Sequence, residues 1–241
     1  MARELPEQQA PPVQRLRLRY AKRGRLRFTS HRDFSRAFER ALMRSRVPMA
    51  YSSGFNPHPR ISYAGAAPTG AASEAEYVEI GLAQVVDPDA VLATLASALP
   101  DGLDLEQVAV SPGGSLADLL QASTWLIEVP RPLAEVAAAV EGFLAAGEVT
   151  VERMTKKGLR SFDARAAVVE LSASAAPKGE GAVVHLLLRH GTPAVRPDDV
   201  LAGMAGFGLA TGAEHGGLPL LTRLAQGPFD EATATVGDPL A

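Results

Sequence analysis

Strand, helix, strand, strand, helix, strand is the order in which apolar periodicity changes along the first half of this 241-residue chain, and the second half runs through a similar order. Two such βαββαβ stretches predict an α+β fold of two tandem ferredoxin-like domains, each an antiparallel sheet with helices on one face and the other face open. The length agrees, since 241 residues suit two domains of roughly 100–120 residues each. The expected divisions are a disordered lead-in over 1–13, an N-terminal domain with a basic surface over 14–111, a C-terminal domain over 122–226 and a flexible tail over 227–241. No residue-level repeat accompanies the repeated order.

Gln14 to Ala21 alternates cleanly, with Leu16, Leu18 and Tyr20 on one face and Arg15, Arg17 and Arg19 on the other. That is a strand with one buried face. Lys22-Arg23-Gly24 makes a turn, and Arg25-Leu26-Arg27-Phe28 resumes the alternation as strand with Arg25 and Arg27 outward. Ser30 and Asp33 form a variant capping box at the start of a helix. Its buried stripe is Phe34, Ala37, Phe38, Ala41 and Leu42, and Arg32, Arg36, Arg40 and Arg44 make a basic ridge at successive four-residue steps. Each like-charged pair in that ridge costs a few tenths of a kcal/mol, which a bound anion would relieve.

Val47-Pro48 ends the helix, and Tyr51 to Arg60 follows as a loop stiffened by Pro57 and Pro59. It presents Asn56, His58 and Arg60 with little conformational entropy left to lose on binding. Strands are expected at Ile61–Ala64 and Ala75–Leu82, a helix over Asp87–Leu99 and a strand over Leu103–Val110. A boundary falls at Ser111-Pro-Gly-Gly-Ser115, with Leu116–Gln121 a helical linker. The second half reads as strand Thr124–Val129, helix Pro132–Ala145, strands Val149–Met154, Ala164–Ser172 and Ala182–Arg189, helix Pro197–Ala205 and a final strand Phe207–Ala210. Lys156, Lys157, Arg160 and Arg165 give this half a small basic spot.

A net charge of −3 conceals an asymmetry: residues 1–60 carry +10 and the remainder −13. A basic lobe of this kind suits an anionic partner. The absence of cysteine excludes disulfides, thiolate zinc sites and protein-held iron–sulfur clusters. Apolar runs are too short for a membrane span, and the first residues lack the apolar core of a signal peptide. A cytoplasmic protein with no membrane partner and no cofactor is expected.

Candidate acid–base groups are His31, Asp33 and His58. His31 and His58, with arginines holding a phosphate, would suit metal-independent RNA cleavage. A metal site from these histidines with Glu74 or Glu76 lacks ligand spacing, so none is expected. His185 lies in an apolar strand and reads as structural. The arginine-lined sheet face and the ridge suit phosphates better than chemistry. Tyr51, Phe55 and Tyr63 are the aromatics free to stack on bases, since Tyr20 and Phe28 share the apolar phase.

Leu26-Arg-Phe-Thr-Ser-His31, Asp33, Tyr51-Ser-Ser-Gly-Phe-Asn-Pro-His-Pro-Arg-Ile-Ser62, Pro68-Thr-Gly70 and Ser73-Glu-Ala-Glu-Tyr77 resemble the bacterial radical-SAM-linked protein family, a domain of unknown function. The resemblance is strong over residues 15–110 and fades after about residue 120. Thr29 and Arg32 stand where the common family form has leucine, which adds charge to the helix. Members of that family occur beside, or fused to, a B12-binding radical SAM enzyme, so the resemblance implies such an enzyme as partner and names no catalytic residue.

Together these features lead to an accessory protein, more binding module than enzyme, that holds RNA (tRNA or rRNA) through Arg15, Arg17, Arg19, Arg25, Arg27, Arg32, Arg36, Arg40, Arg44, Asn56, His58 and Arg60. The alternatives are the His31/His58 endoribonuclease and a protein–protein adaptor that binds no nucleic acid.

Overall fold

The structure, a computed structural model, describes residues 8–155, 158–177, 181–212 and 216–241. Lys156, Lys157 and the first seven residues of the expected lead-in lie outside the described residues. The fold is mixed α/β with largely antiparallel sheets, as the periodicities predict. The chain divides into one unit of Met1–Asp118 with Leu240–Ala241, and a second of Leu119–Pro239.

The first unit contains β1 (Gln14–Lys22), α1 (His31–Arg44), β2 (Ile61–Ala64), β3 (Ala72–Leu82), α2 (Pro88–Ala96), β4 (Leu103–Val110) and the short α3 (Leu116–Leu119). Its strands lie in the order β4-β1-β3-β2, every pair antiparallel, with Leu18 opposite both Val78 and Val108. One core forms between this sheet and the two helices. Leu16, Leu18, Val78 and Ile80 meet Phe34, Phe38, Ala41 and Leu42 of α1 and Val91 and Leu95 of α2. Tyr20 stacks on Phe34 with ring centroids 4.3 Å apart, and Phe34 stacks in turn on Phe38 at 5.6 Å. The Ser30 hydroxyl accepts the Asp33 N–H at 3.2 Å, so α1 starts where its cap predicts.

Arg25–Phe28 is not a strand. Gly24, at φ +54°, turns the chain out of β1, and Gly24–Phe28 winds into a 3-10 helix. Four alternating residues fit both periods. With three residues per turn, Leu26 packs on the core while Phe28 swings out to 59% exposure. Residues 8–13 are also more ordered than a loose lead-in, since Val13 N–H donates to Leu82 O at 2.9 Å and Gln9 N–H to the Ser53 hydroxyl.

The second unit contains β5 (Ala122–Val129), α4 (Leu133–Ala145), β6 (Thr150–Thr155), β7 (Gly158–Asp163), β8 (Val168–Ala175), β9 (Ala182–Arg189), α5 (Pro197–Ala205), β10 (Leu220–Gly227), β11 (Phe229–Asp230) and β12 (Thr235–Val236). Its sheet runs β10-β5-β9-β8, again antiparallel throughout. Counting β5, β8, β9 and β10 as first to fourth, the first unit's strand order recurs. β6 and β7 form a separate hairpin outside that sheet. The expected last strand, Phe207–Ala210, is turn and coil; β10 takes that place. The expected flexible tail is tied down, because β11 pairs with β12 and Phe229 N–H donates to Gln121 Oε1 at 3.0 Å.

Buried polar groups cluster in both units. In the first, Arg17 is 1% exposed. Its Nε donates to Glu79 Oε2 at 3.1 Å, and its Nη2 donates to the carbonyls of Gly113 and Gly114. Glu79 also accepts from Arg15 at 3.3 Å and from the Ser111 hydroxyl at 2.8 Å. In the second, His190 Nδ1 donates to Leu120 O at 2.7 Å, because a carbonyl can only accept. Nε2 of the neutral ring then accepts from the Ser123 hydroxyl at 2.8 Å, and Ser123 accepts in turn from Trp125 Nε1 at 2.8 Å. Burial holds the His190 pKa below the usual histidine value, against the bond to Leu120 O; the Arg223 charge adds to the depression.

Replacing one member of the first cluster, as in Glu79→Gln or Arg17→Met, takes the buried counter-ion from the other and is expected to cost about 3–5 kcal/mol in urea unfolding. The pair Arg17→Met with Glu79→Leu is expected to recover most of that loss. The two variants that lack Arg17 should be cut faster at 111–114 in limited proteolysis, because the carbonyls of Gly113 and Gly114 lose their donor. For His190 the folded pKa lies below the unfolded one, so its contribution is complete above the unfolded pKa of about 6.5 and is lost as pH falls through the folded value. Unfolding free energy should therefore drop from pH 7.5 to pH 5.5 more steeply in the native protein than in His190→Gln.

Candidate nucleic-acid interface

The twelve residues expected to bind an anion, with the acid–base candidates among and beside them, fall into three groups once folded. The first is the sheet face. Arg15 and Arg17 share Glu79, so neither is available as a bare cation, and Arg17 is closed off from solvent. Arg19 is half-buried, with its Nε enclosed and unpartnered. At the end of β1, Arg23 pairs with Glu74, with Asp104 at 2.7 Å and with Glu106 at 2.8 Å. The arginine-lined sheet platform expected from alternation is therefore corrected: Arg15 and Arg17 share a carboxylate, Arg19 is half-buried, and Arg23 faces three acidic groups.

The second group is α1. Arg32, Arg36, Arg40 and Arg44 are all exposed along its outer side, with Met43 beside them at 74% exposure. Among the described residues Arg32, Arg36 and Arg40 have neither ion pair nor hydrogen bond. Arg44 donates to Ala98 O at the end of α2. Arg25 is exposed at the approach to α1, and Arg27 lies over the Phe28 ring at 4.4 Å. Arg46, exposed just past the helix end at φ +52°, joins this group. The sequence reading passed it over because it lies off the four-residue spacing.

The third group is an arch over residues 49–60, held at its base by backbone bonds. Ala50 N–H donates to Gly81 O, Gly81 N–H to Arg60 O and Arg60 N–H to Ala50 O, each at 2.8 Å. Higher up, Ser52 N–H donates to His58 O at 2.8 Å, and the Ser52 hydroxyl accepts His58 N–H at 3.0 Å. Arg60 Nε donates to Tyr51 O. Gly81 is required here, because a Cβ would stand 2.7 Å from Pro12 Cγ and 3.2 Å from Arg60 Cβ. The crown leaves Asn56 and His58 exposed, with Phe55 at 63% exposure. A stiff crown of polar and aromatic groups is therefore presented to solvent.

The acid–base candidates are not in direct contact with one another. His31 stands edge-on to Tyr63 at 4.8 Å, whereas His58 belongs to the arch, and no described hydrogen bond or ring contact joins them. Asp33 is engaged at the α1 cap, where it accepts from the Ser30 hydroxyl at 2.7 Å. Tyr63 packs among His31, Phe34 and Phe38. Burial raises its phenol pKa, and Ser35 lies close enough to pull it partly back. The Ser35 hydroxyl itself donates to His31 O at 2.9 Å, and no bond of ordinary geometry reaches the phenol oxygen. Tyr63 is thus part of the wall behind α1 rather than a stacking platform. Phe28, expected in the core, takes the exposed place instead.

Glu74 is held by Arg23, and buried Glu76 accepts Ala67 N–H. Among the described residues no group of three His, Asp or Glu side chains is placed to hold a metal ion. No described helix is long and apolar enough to cross a membrane. In the second unit His185 is exposed rather than structural, 3.2 Å from the Ser174 hydroxyl in a hollow of about 330 Å³ that Glu128 also lines. Glu128 makes no bond to His185, so no relay of carboxylate, imidazole and hydroxyl forms. His215 lies outside the described residues.

No curated protein matches the chain. A family model does match, over residues 15–197, a span that takes in α1, the arch and most of the second unit. The chain belongs to this family, described as an uncharacterized protein conserved in bacteria (DUF2344).

Proposed function

We propose that the chain is a non-catalytic RNA-binding accessory protein that engages phosphates through α1 and bases through the arch. The observation that carries this reading is the division of the arginines. Arg15, Arg17 and Arg23 are paired with Glu79, Glu74, Asp104 and Glu106, whereas Arg32, Arg36 and Arg40 on α1 are matched by nothing among the described residues. Unrelieved repulsion at four-residue spacing is a standing cost that an anion removes. Phosphate contacts position a nucleic acid and base contacts specify it, which suits a cationic helix beside a rigid crown carrying Phe55, Asn56 and His58.

The repeated strand order supports reading each unit as ferredoxin-like, in keeping with a sheet-and-helix scaffold that supports exposed loops. The partner enzyme, a radical SAM protein, is proposed from the resemblance alone. An adaptor that binds no nucleic acid is the competing reading, and the nuclease reading has no His31–His58 contact among the described residues to support it.

Fluorescence anisotropy with a labelled RNA distinguishes these. The triple variant Arg32→Ala, Arg36→Ala, Arg40→Ala is expected to weaken binding at least about tenfold and to flatten the salt dependence by about 2 in log–log slope, at roughly 0.7 per phosphate contact on a single strand. Arg15→Gln, already paired in the native protein, should change neither. Equal binding by the triple variant and the native protein would sink the proposal.

A further inference from the structure

We infer that the RNA held by the first unit is an unpaired strand, which follows the arginines around α1 and seats one nucleotide in the groove between α1 and α2. This rests on the RNA-binding reading above and narrows it to one ligand class and one site. At about 100° and 1.5 Å per residue, each four-residue step advances about 40° around the helix and about 6 Å along it. From Arg32 to Arg44 the ridge therefore climbs about 18 Å while turning through about 120°. Arg40 and Arg44 have turned far enough to line a groove of about 670 Å³ whose opposite wall carries Thr94, Ser97 and Leu99 of α2 and its end.

A stiff duplex touches a convex helix along one line and meets two neighbouring arginines of such a ridge. A flexible single strand bends at every phosphate and can follow the whole path. The groove wall fits the same ligand. The Thr94 hydroxyl donates to Ala90 O at 2.6 Å, Ser97 to Thr94 O at 2.9 Å and Ser45 to Thr94 O at 3.2 Å. With their protons committed to the backbone, these three oxygens offer lone pairs to the groove. A ribose 2′-hydroxyl or an exocyclic base amine supplies the matching donor, while Leu99 gives the base an apolar surface. Arg44, fixed on Ala98 O, closes the end of the groove, and Arg40 remains for the phosphate.

The test compares a short unstructured RNA with a duplex RNA of equal length, using the full chain and the variants Thr94→Trp, which fills the groove, and Thr94→Val, which preserves its shape. Circular dichroism confirms that each variant is folded. The native protein should favour the unstructured RNA. Thr94→Trp should weaken that binding about tenfold, the contribution of one seated base, and leave duplex binding unchanged. Thr94→Val, which removes one of the three acceptors and leaves the groove open, should weaken binding of the unstructured RNA by a smaller factor, about threefold. Equal affinity for duplex, or an unaltered Thr94→Trp, overturns the groove while leaving RNA binding by the α1 arginines intact. Failure to bind either RNA overturns this inference and the proposed function together.

Discussion

Glu79 receives two guanidinium groups and a hydroxyl on one carboxylate, in a setting where Arg17 has almost no solvent left to it. Moving both charges out of water costs several kcal/mol per ion, and their attraction offsets this only because the remaining donors and acceptors are satisfied as well. Arg17 reaches the carbonyls of Gly113 and Gly114, so the bond network that pairs β1 with β3 also fixes the chain leaving β4. A hydrophobic pair could fill the same space as cheaply. What the ionic pair adds is a defined place for the segment at Gly113 and Gly114, and a sheet face on which Arg15 and Arg17 are held to a carboxylate.

That pairing decides where unmatched positive charge remains. Much of the positive excess of residues 1–60 survives on α1 and its flanks, since Arg15, Arg17 and Arg23 have acidic partners there. The helix can carry such a load because its other side is fastened so firmly. Phe34 and Phe38 lie in a stack that begins at Tyr20, and each buried aromatic contributes a few kcal/mol against repulsions of tenths. Packing energy on one face thus sustains unfavourable electrostatics on the other, as the proposed anion-binding role requires.

Much of this was legible in the sequence, and the failures have identifiable causes. β2, β4 and α5 run between the residues their periodicity predicts, because a buried stripe and a turn residue mark each of them. Alternation also placed Arg15, Arg17 and Arg19 on one face, yet periodicity cannot show what covers that face; Glu79 lies 62 residues further along the chain. Arg25–Phe28 was too short to separate a period of two from a period of three. The hairpin strand Gly158–Asp163 is exposed along most of its length and carries no stripe to find. β10 was missed because the shorter run at Phe207–Ala210 took its place, and the tail reads as loose because its order comes from pairings of two residues each. The groove on α2 had no signature at all. Thr94 and Ser97 are ordinary helix-surface residues until α1 is laid beside them.

The two exposed elements differ in what ordering they would lose on binding, and this bears on how the labour divides between them. Arg32, Arg36 and Arg40 of α1 are long, unpaired among the described residues and free to sample rotamers, and immobilising each costs up to about 2 kcal/mol of side-chain entropy. Their contribution is long-ranged, tolerant of position and sensitive to salt. The arch has already lost most of its freedom to Pro57, Pro59 and the backbone bonds at its base, so a contact at Asn56 or His58 keeps nearly all of its binding energy. Affinity for a phosphate backbone without regard to sequence belongs on the flexible side chains, and discrimination belongs on the stiff crown. A chain that needed only to dock on an acidic surface would gain little from a crown so rigid.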